Sequence, residues 1–210
     1  MTQADHPNTD DDLRLLLVRH GESIYNEQNR LAGRTDVELN ARGKRQAKAL
    51  AERFRDTELD TVYSSSLSRA LETATIASEP HGIDITTVDT LCERSFGRLE
   101  ERHKPAVERS RAETNVNRSE WCPPGGETRQ DVADRVVPFV ERLIDEHRGE
   151  VVMIVAHSGV NKTLLAALTS GDCMWGHRIA QNNTALNVLE YNGSWTLERV
   201  NDTAHLEALR

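Results

Sequence analysis

The strongest constraint in this chain is a repeated arrangement, a short apolar run that stops at a histidine. Residues 13–18 are apolar apart from Arg14 and run into Arg19-His20-Gly21-Glu22-Ser23. Residues 151–156 are apolar throughout and run into His157-Ser158-Gly159. Runs of this kind suit strands buried on both faces of a parallel sheet. The carboxyl ends of such strands are where open α/β sheets bind ligands. Two strand ends that each carry an imidazole make one shared pocket the natural expectation. An imidazole beside an arginine at such a place points to nucleophilic chemistry on an anion.

Around these runs the sequence alternates between strand and helix signals. Asn40 is placed to cap a helix running to about residue 55, with Ala47, Leu50, Ala51 and Phe54 on one face. Residues 61–63 read as a short strand, 66–78 as a helix and 83–88 as another strand. Residues 127–147 give the clearest helix, with Val132, Val136, Val137, Val140, Leu143 and Ile144 on one stripe, and Pro138 predicts a kink or break in it. A helix over 160–169 follows the second run. Residues 184–190 and 194–200 pair as a hairpin across Asn192-Gly193. The expected architecture is a three-layer α/β/α sandwich, a mostly parallel sheet with helices on both faces. Residues 1–12, with Asp5, Asp10, Asp11 and Asp12 and almost no apolar side chain, read as a flexible acidic tail. Residues 13–210 read as one domain with a small polar insertion at about 96–120, containing one helix between Lys104 and Thr114.

Composition narrows the function. The net charge is −8, from 26 basic and 34 acidic residues, which argues against nucleic acid and against anionic membranes as partners. No run reaches the length of a membrane span, and no signal peptide is visible, so cytoplasm is the default expectation. Cys92, Cys122 and Cys173 are an odd number without a CxxC pair, which supports neither a disulfide framework nor a zinc knuckle. Because only 4% of residues are aromatic, Leu, Val, Ile and Ala must fill the core.

Phosphoryl transfer through an enzyme nucleophile needs a nucleophile, fixed cations around the equatorial oxygens, and an acid for the leaving group. His20 is the candidate nucleophile, and His157 ends the matching strand. Arg19 and Arg69 are candidate cations, since the guanidinium fork binds phosphate bidentately and stays charged. Arg69 follows Ser64-Ser65-Ser66-Leu67-Ser68 at a strand-to-helix junction, where first-turn amides offer an anion site. Glu93 is the candidate proton donor. Taken singly, each of these has an ordinary structural role, and the functional reading rests on their convergence. Competing motifs fail on spacing. His20-Gly21-Glu22 matches the H-x-E of zinc deaminases, but no P-C-x-x-C follows. There is no P-loop, no G-x-G-x-x-G and no nucleophile elbow, and no His or Cys pair has metal-ligand spacing.

Together these residues resemble the histidine phosphatase superfamily, also called the phosphoglycerate mutase-like family. The resemblance runs from Leu13 to about Leu189. Its blocks are Arg19-His20-Gly21-Glu22-Ser23 with Asn26, Gly33-Arg34-Thr35-Asp36, the Ser64–Arg69 segment with Ala70, Thr73 and Ala74, Glu93 with Phe96-Gly97, Pro124-Gly125-Gly126-Glu127, His157-Ser158-Gly159, and Asn182-Asn183-Thr184. It implies that His20 becomes phosphorylated and that Arg19, Arg69 and His157 surround the phosphoryl group. Asn26, Gly33 and Ser158 would lie at the substrate site. Glu93 would protonate the leaving oxygen and then help activate water, with no metal and no cofactor. Many members continue Phe-Gly-x-x-Glu with glycine, whereas here Glu101 and Arg102 follow, which puts the shape of the substrate loop in question.

The mutase branch resembles longer chains, with a large insertion after the acid and an adjacent Arg-Arg pair. Here the insertion is short and no such pair occurs. The expectation is therefore a phosphatase acting on a small phosphorylated metabolite, with a phosphoglycerate mutase-type transfer as the alternative. A non-catalytic scaffold should lack one of His20, Arg19, Arg69, His157 or Glu93, and all five are present. A homodimer is compatible with the chain.

Overall fold

The two apolar runs form adjacent parallel strands at the centre of a sheet. The computed structural model describes residues 12–209, so the tail expected over 1–12 lies outside the described residues except for Asp12, which is buried. Strands β1 (Leu13–Arg19), β2 (Thr61–Ser64), β3 (Ile85–Thr87), β4 (Val151–Ala156), β5 (Leu186–Tyr191) and β6 (Trp195–Asp202) lie in the order β3-β2-β4-β1-β5-β6. The first four run parallel, β5 is antiparallel to β1, and β6 is antiparallel to β5. Helices α1 (Ile24–Glu27), α2 (Ala41–Phe54), α3 (Ser68–Ser78), α4 (Lys104–Ala112), α5 (Arg129–Glu146) and α6 (Ser158–Ser170) connect them.

The alternation of side chains along β1 and β4 explains why neither run needs polar residues. Leu13, Leu15 and Leu17 pack with Val152, Ile154 and Ala156 against α5 and α6, through Val132, Val136, Val140, Val160 and Leu164. Leu16 and Val18 pack with Val151, Met153 and Val155 against α2 and α3, through Leu50, Phe54, Ala70, Ala74 and Ala77. Both faces are thus covered by helices, as the sequence predicts. No helix among the described residues is long and apolar enough to cross a membrane.

Local signals set most boundaries. Asn40 caps α2 by accepting from Gly43 N–H at 2.8 Å. Thr128 and Asp131 form a capping box at the start of α5, a stop-and-start signal of known type. The break expected at Pro138 is absent, and α5 runs through it. Pro138 and Asp134, four residues earlier, are both on the exposed side, so the carbonyl that loses its donor is left to water rather than to the core. Helix α3 starts at Ser68, two residues later than the sequence predicts. Its N-cap Leu67 makes no side-chain cap bond, and the first amide is taken by Asp36, which accepts from Ser68 N–H at 2.8 Å and Ser68 Oγ at 2.6 Å.

The segment after Phe96-Gly97 resolves the question raised by the missing glycine. Glu101 stands where a glycine would be expected, and its φ is 65°. It keeps that left-handed backbone because its N–H donates to Leu31 O at 2.7 Å and Leu31 N–H donates to Arg102 O at 2.9 Å. A left-handed non-glycine residue costs about 1–2 kcal/mol, and the Arg30–Glu101 ion pair at 3.6 Å is too exposed to offset it. Glu101→Gly is therefore expected to raise stability by about 0.5–1 kcal/mol, after allowing for glycine's greater unfolded-state freedom. Urea melts of the two proteins check this, and a destabilised variant would contradict it.

Candidate active site

At the carboxyl end of β1 and β4 the two histidines meet. His20 N–H donates to Ala156 O at 3.0 Å, which extends the strand ladder one residue beyond β1. The rings of His20 and His157 then lie 5.2 Å apart, tilted by 57°. Both are buried, His20 at 4% exposure and His157 at 0%.

The tautomer of His20 follows from its partner. Nδ1 lies 2.6 Å from Gly21 O, and a carbonyl can only accept, so Nδ1 carries the proton. The lone pair is then on Nε2, which has no hydrogen-bond partner among the described residues. Burial holds the His20 pKa well below the ordinary histidine value, and the charges of Arg69 and Arg19 add to the effect. The same burial, with Arg69, His20 and Arg19, lowers His157. His157 Nε2 lies 2.8 Å from Ser65 Oγ, while its Nδ1 is buried without a partner.

Two arginines flank the imidazoles. Arg69 is 1% exposed. Its Nη2 donates to Gly33 O at 2.7 Å and its Nη1 to Thr35 O at 3.0 Å, leaving Nε buried and free. Arg19 Nη1 donates to Gln181 O at 2.6 Å, and its Nε is likewise buried and free. Desolvation lowers both guanidinium pKa values, Arg19 to about 10. They remain charged at neutral pH, held by carbonyls that orient them without neutralising them. Such buried free donors are suited to an anion.

Glu93 is tied to the start of α6 and to its own loop. Its Oε1 accepts from Arg94 N–H at 2.8 Å and its Oε2 from Gly159 N–H at 3.0 Å, and its charge acts on Arg19 and Arg69. Arg135 anchors this loop by donating to Thr90 O and, at 3.3 Å, to Glu93 O. Glu127 takes Arg135 at 3.0 and 3.1 Å, Arg34 at 2.9 Å and Ser95 N–H at 2.8 Å. Burial raises the Glu127 pKa, but the hydrogen bonds from Arg135 and Ser95 outweigh it and bring it below the usual carboxylate range.

The remaining expected residues act at one remove. Asn26 forms a capping box with Ser23 and accepts from Asn183 Nδ2 at 3.1 Å. Asn183 Nδ2 also donates to His20 O at 3.1 Å. Gly33 reaches the pocket through its carbonyl on Arg69. Its φ of 56° favours glycine, and a Cβ there would meet the Glu100 carboxylate at 2.5 Å. Ser158 is half-buried at the start of α6. Sequence reasoning missed Gln181, Asn183, Arg135 and Ser65 as supports. Of these only Asn183 and Ser65 lay in segments already singled out.

The profile of the histidine phosphatase superfamily, branch 1, matches residues 15–203. The chain belongs to that superfamily. It is 32% identical over 203 residues to the Phosphoglycerate mutase-like protein 4 of Arabidopsis thaliana, covering 92% of this chain and 86% of the relative. Among solved structures it resembles the mycobacterial glucosyl-3-phosphoglycerate phosphatase, with a TM-score of 0.82 and 29% identity over 90% of this chain and 99% of the other. It also resembles the alpha-ribazole phosphatase of Shigella flexneri, with a TM-score of 0.81 and 28% identity over 91% and 97%.

The depressed imidazoles have a consequence for stability. Their folded pKa values lie below the unfolded value of about 6.5, so the unfolded chain takes up these protons first as pH falls. The contribution is complete above about pH 6.5 and is lost as pH falls toward the folded values. His205, lowered by burial and Arg53 to about 4, acts with the same sign, so a variant is needed to isolate the site. Melts between about pH 5 and 8 are expected to show the slope, a smaller slope in His20→Gln, and a smaller one with inorganic phosphate present, since a bound anion favours the protonated ring. An identical slope in His20→Gln would contradict the assignment.

Proposed function

We propose that the chain is a metal-independent phosphatase of small phosphate monoesters, working through a phosphohistidine at His20. The observation that carries this reading is the hydrogen bond from His20 Nδ1 to Gly21 O, which leaves an unprotonated Nε2 beside two arginines with free buried donors. The Nε2 lone pair attacks phosphorus while the ester P–O bond breaks. Glu93, in its acid form, gives its proton to the departing oxygen. Water then attacks the phosphohistidine, Glu93 takes a proton from it, the P–N bond breaks, and inorganic phosphate leaves.

Arg19 and Arg69 hold the equatorial oxygens through both steps, where negative charge is spread over them. His157 Nδ1, buried and unpaired, is available to a third oxygen. The negative phosphoryl group favours protonation of a ring that is neutral in the empty site.

A mutase is the second reading. The names of similar proteins divide between mutase-like and phosphatase, and the two activities differ only in whether water or a second hydroxyl receives the phosphoryl group. The short segment between Glu93 and Gly126 and the absence of an adjacent arginine pair favour water.

Three measurements test the proposal. Wild type treated with a radiolabelled phosphate ester is expected to trap an acid-labile, base-stable phosphoenzyme that His20→Ala lacks. Label persisting in His20→Ala would overturn the nucleophile assignment. Glu93→Gln is expected to slow hydrolysis of alkyl phosphates by about 10²–10⁴-fold and that of nitrophenyl phosphate far less, as loss of general acid catalysis requires. Equal losses on both would remove Glu93 from the acid role. Activity should persist in chelator, with phosphate release exceeding isomerisation of 3-phosphoglycerate.

A further inference from the structure

The turn that holds the carbonyl of His20 carries a threonine where its backbone favours glycine. Residues 182–185 close this turn, with Ala185 N–H donating to Asn182 O at 3.1 Å. Its third residue, Thr184, has a φ of 53°. Glycine or asparagine is usual at a positive φ in that position, and a β-branched residue there is an outlier. Thr184 is also fully buried. Strain of this kind persists only where the surroundings over-determine it, and here the side chain supplies what glycine lacks.

The Thr184 hydroxyl lies on a chain of directed hydrogen bonds that begins on α2. Arg53 Nη1 lies 3.3 Å from His205 Nδ1, and a guanidinium can only donate, so Nδ1 carries the lone pair. His205 is neutral at neutral pH, since burial and Arg53 hold its pKa at about 4. Its proton is then on Nε2, 3.1 Å from Thr184 Oγ1. Thr184 Oγ1 accepts there and donates to Asn183 O at 2.8 Å. Asp202 also holds Arg53, and it accepts from Ala204 N–H at 2.9 Å, one residue before His205. The short 3-10 helix Ala204–Leu209 is thus tied both to α2 and to the turn.

Residues 183 and 184 in turn fix the peptide that follows the nucleophile. Thr184 N–H donates to His20 O at 3.2 Å, and Asn183 Nδ2 donates to it at 3.1 Å. At the other end of the same peptide, Gly21 N–H donates to Thr73 Oγ1 at 3.0 Å. The carbonyl that receives His20 Nδ1 is the next one along, Gly21 O. Gly21 is required by close packing, since a Cβ there would meet Gly43 O at 2.7 Å, but a glycine restrains its own φ little. The direction of Gly21 O is therefore set by what grips the His20–Gly21 peptide.

We propose that Thr184 and His205 are positioning residues for the nucleophile: through the His20–Gly21 peptide they keep Gly21 O on His20 Nδ1, and so keep the reactive lone pair on Nε2. The inference rests on the reading of His20 as the nucleophile. Both side chains act through backbone groups rather than on the substrate.

The test compares Thr184→Ser, Thr184→Gly and His205→Leu with wild type in two readouts. One is the nitrogen NMR spectrum of the imidazoles without substrate, with His20 assigned by its loss in His20→Gln. The other is the rate of phosphoenzyme formation from nitrophenyl phosphate, followed by rapid quench. Wild type is expected to show His20 as a single tautomer protonated on Nδ1. Thr184→Ser keeps the hydroxyl and should match wild type in both readouts. Thr184→Gly suits the left-handed backbone but drops the hydroxyl. It should fold, show mixed tautomers at His20, and phosphorylate up to about 10²-fold more slowly, the scale set by a small misplacement of a reacting group. His205→Leu should do the same, and the double variant should lose no more than either alone, because both break one chain. A merely structural role would lower the melting temperature and leave tautomer and rate unchanged. That result in Thr184→Gly and His205→Leu would overturn the inference, as would additive losses in the double variant. The spectrum needs no turnover, so a wild type that forms no phosphoenzyme removes the nucleophile reading while the tautomers still decide the positioning.

Discussion

The parallel ladder between β1 and β4 is the constraint on which the site depends. Its register runs from Arg14 opposite Val151 to Arg19 opposite Ala156. One further hydrogen bond, from His20 N–H to Ala156 O, brings the two histidines side by side. The antiparallel strand on the other edge adds Ala185 O as the acceptor for Arg19 N–H, and Thr184 N–H as a donor to His20 O. A slip of one residue would exchange every core side chain with the opposite face. It would also put Arg19 where His20 stands. Leu15, Leu17, Ile154 and Val152 on one face, with Leu16, Val18, Met153 and Val155 on the other, resist that slip. The core packing and the position of the nucleophile are thus fixed by the same contacts.

Around that ladder the chain separates its charges. Inside the pocket, Arg19 and Arg69 are oriented by the carbonyls of Gln181, Gly33 and Thr35, which leaves their charge for an anion. Outside it, carboxylates are used as ties. Asp36 caps α3, Glu127 gathers Arg34, Arg135 and Ser95, and Asp202 holds Arg53 at the sheet edge. A carboxylate on Arg69 would have cancelled the field that a phosphoryl group needs. The same separation accounts for two neutral imidazoles beside two guanidiniums, since each ring avoids a charge that its neighbours already carry.

Sequence showed the strand ends, the helix stripes and the histidines and arginines of the site because each leaves a local mark: an apolar run, a 3.6-residue period, or a histidine or arginine at a strand end or strand-to-helix junction, whereas Glu93, in a loop, stands out only through the family resemblance. It did not show the contacts that orient them. Gln181 joins Arg19 to a buried amide network with Asn161 and Asn187, and amides in a loop carry no pattern that foretells burial. Asp36 and Ser68 are 32 residues apart in the chain, so no cap spacing could pair them. Pro138 does not break α5, because a helix tolerates proline where the freed carbonyl faces water.

The departure at Glu101 links these points. Its neighbour Glu100 accepts from Thr35 N–H and Thr35 Oγ1, both at 3.0 Å, from Phe96 N–H at 2.9 Å and from Ser95 Oγ at 3.2 Å. It also fills the space against Gly33 where a side chain would sit. One carboxylate therefore ties the 95–97 loop to the 33–35 loop whose carbonyls orient Arg69. The left-handed turn at Glu101 lets the chain leave Glu100 in that place and return toward α4. The loop that carries Glu93 and the loop that aims the phosphate-binding arginine are consequently one mechanical unit. A glycine at 101 would relax the turn without breaking the tie, whereas a change at Glu100 would release Arg69 together with the 95–97 loop.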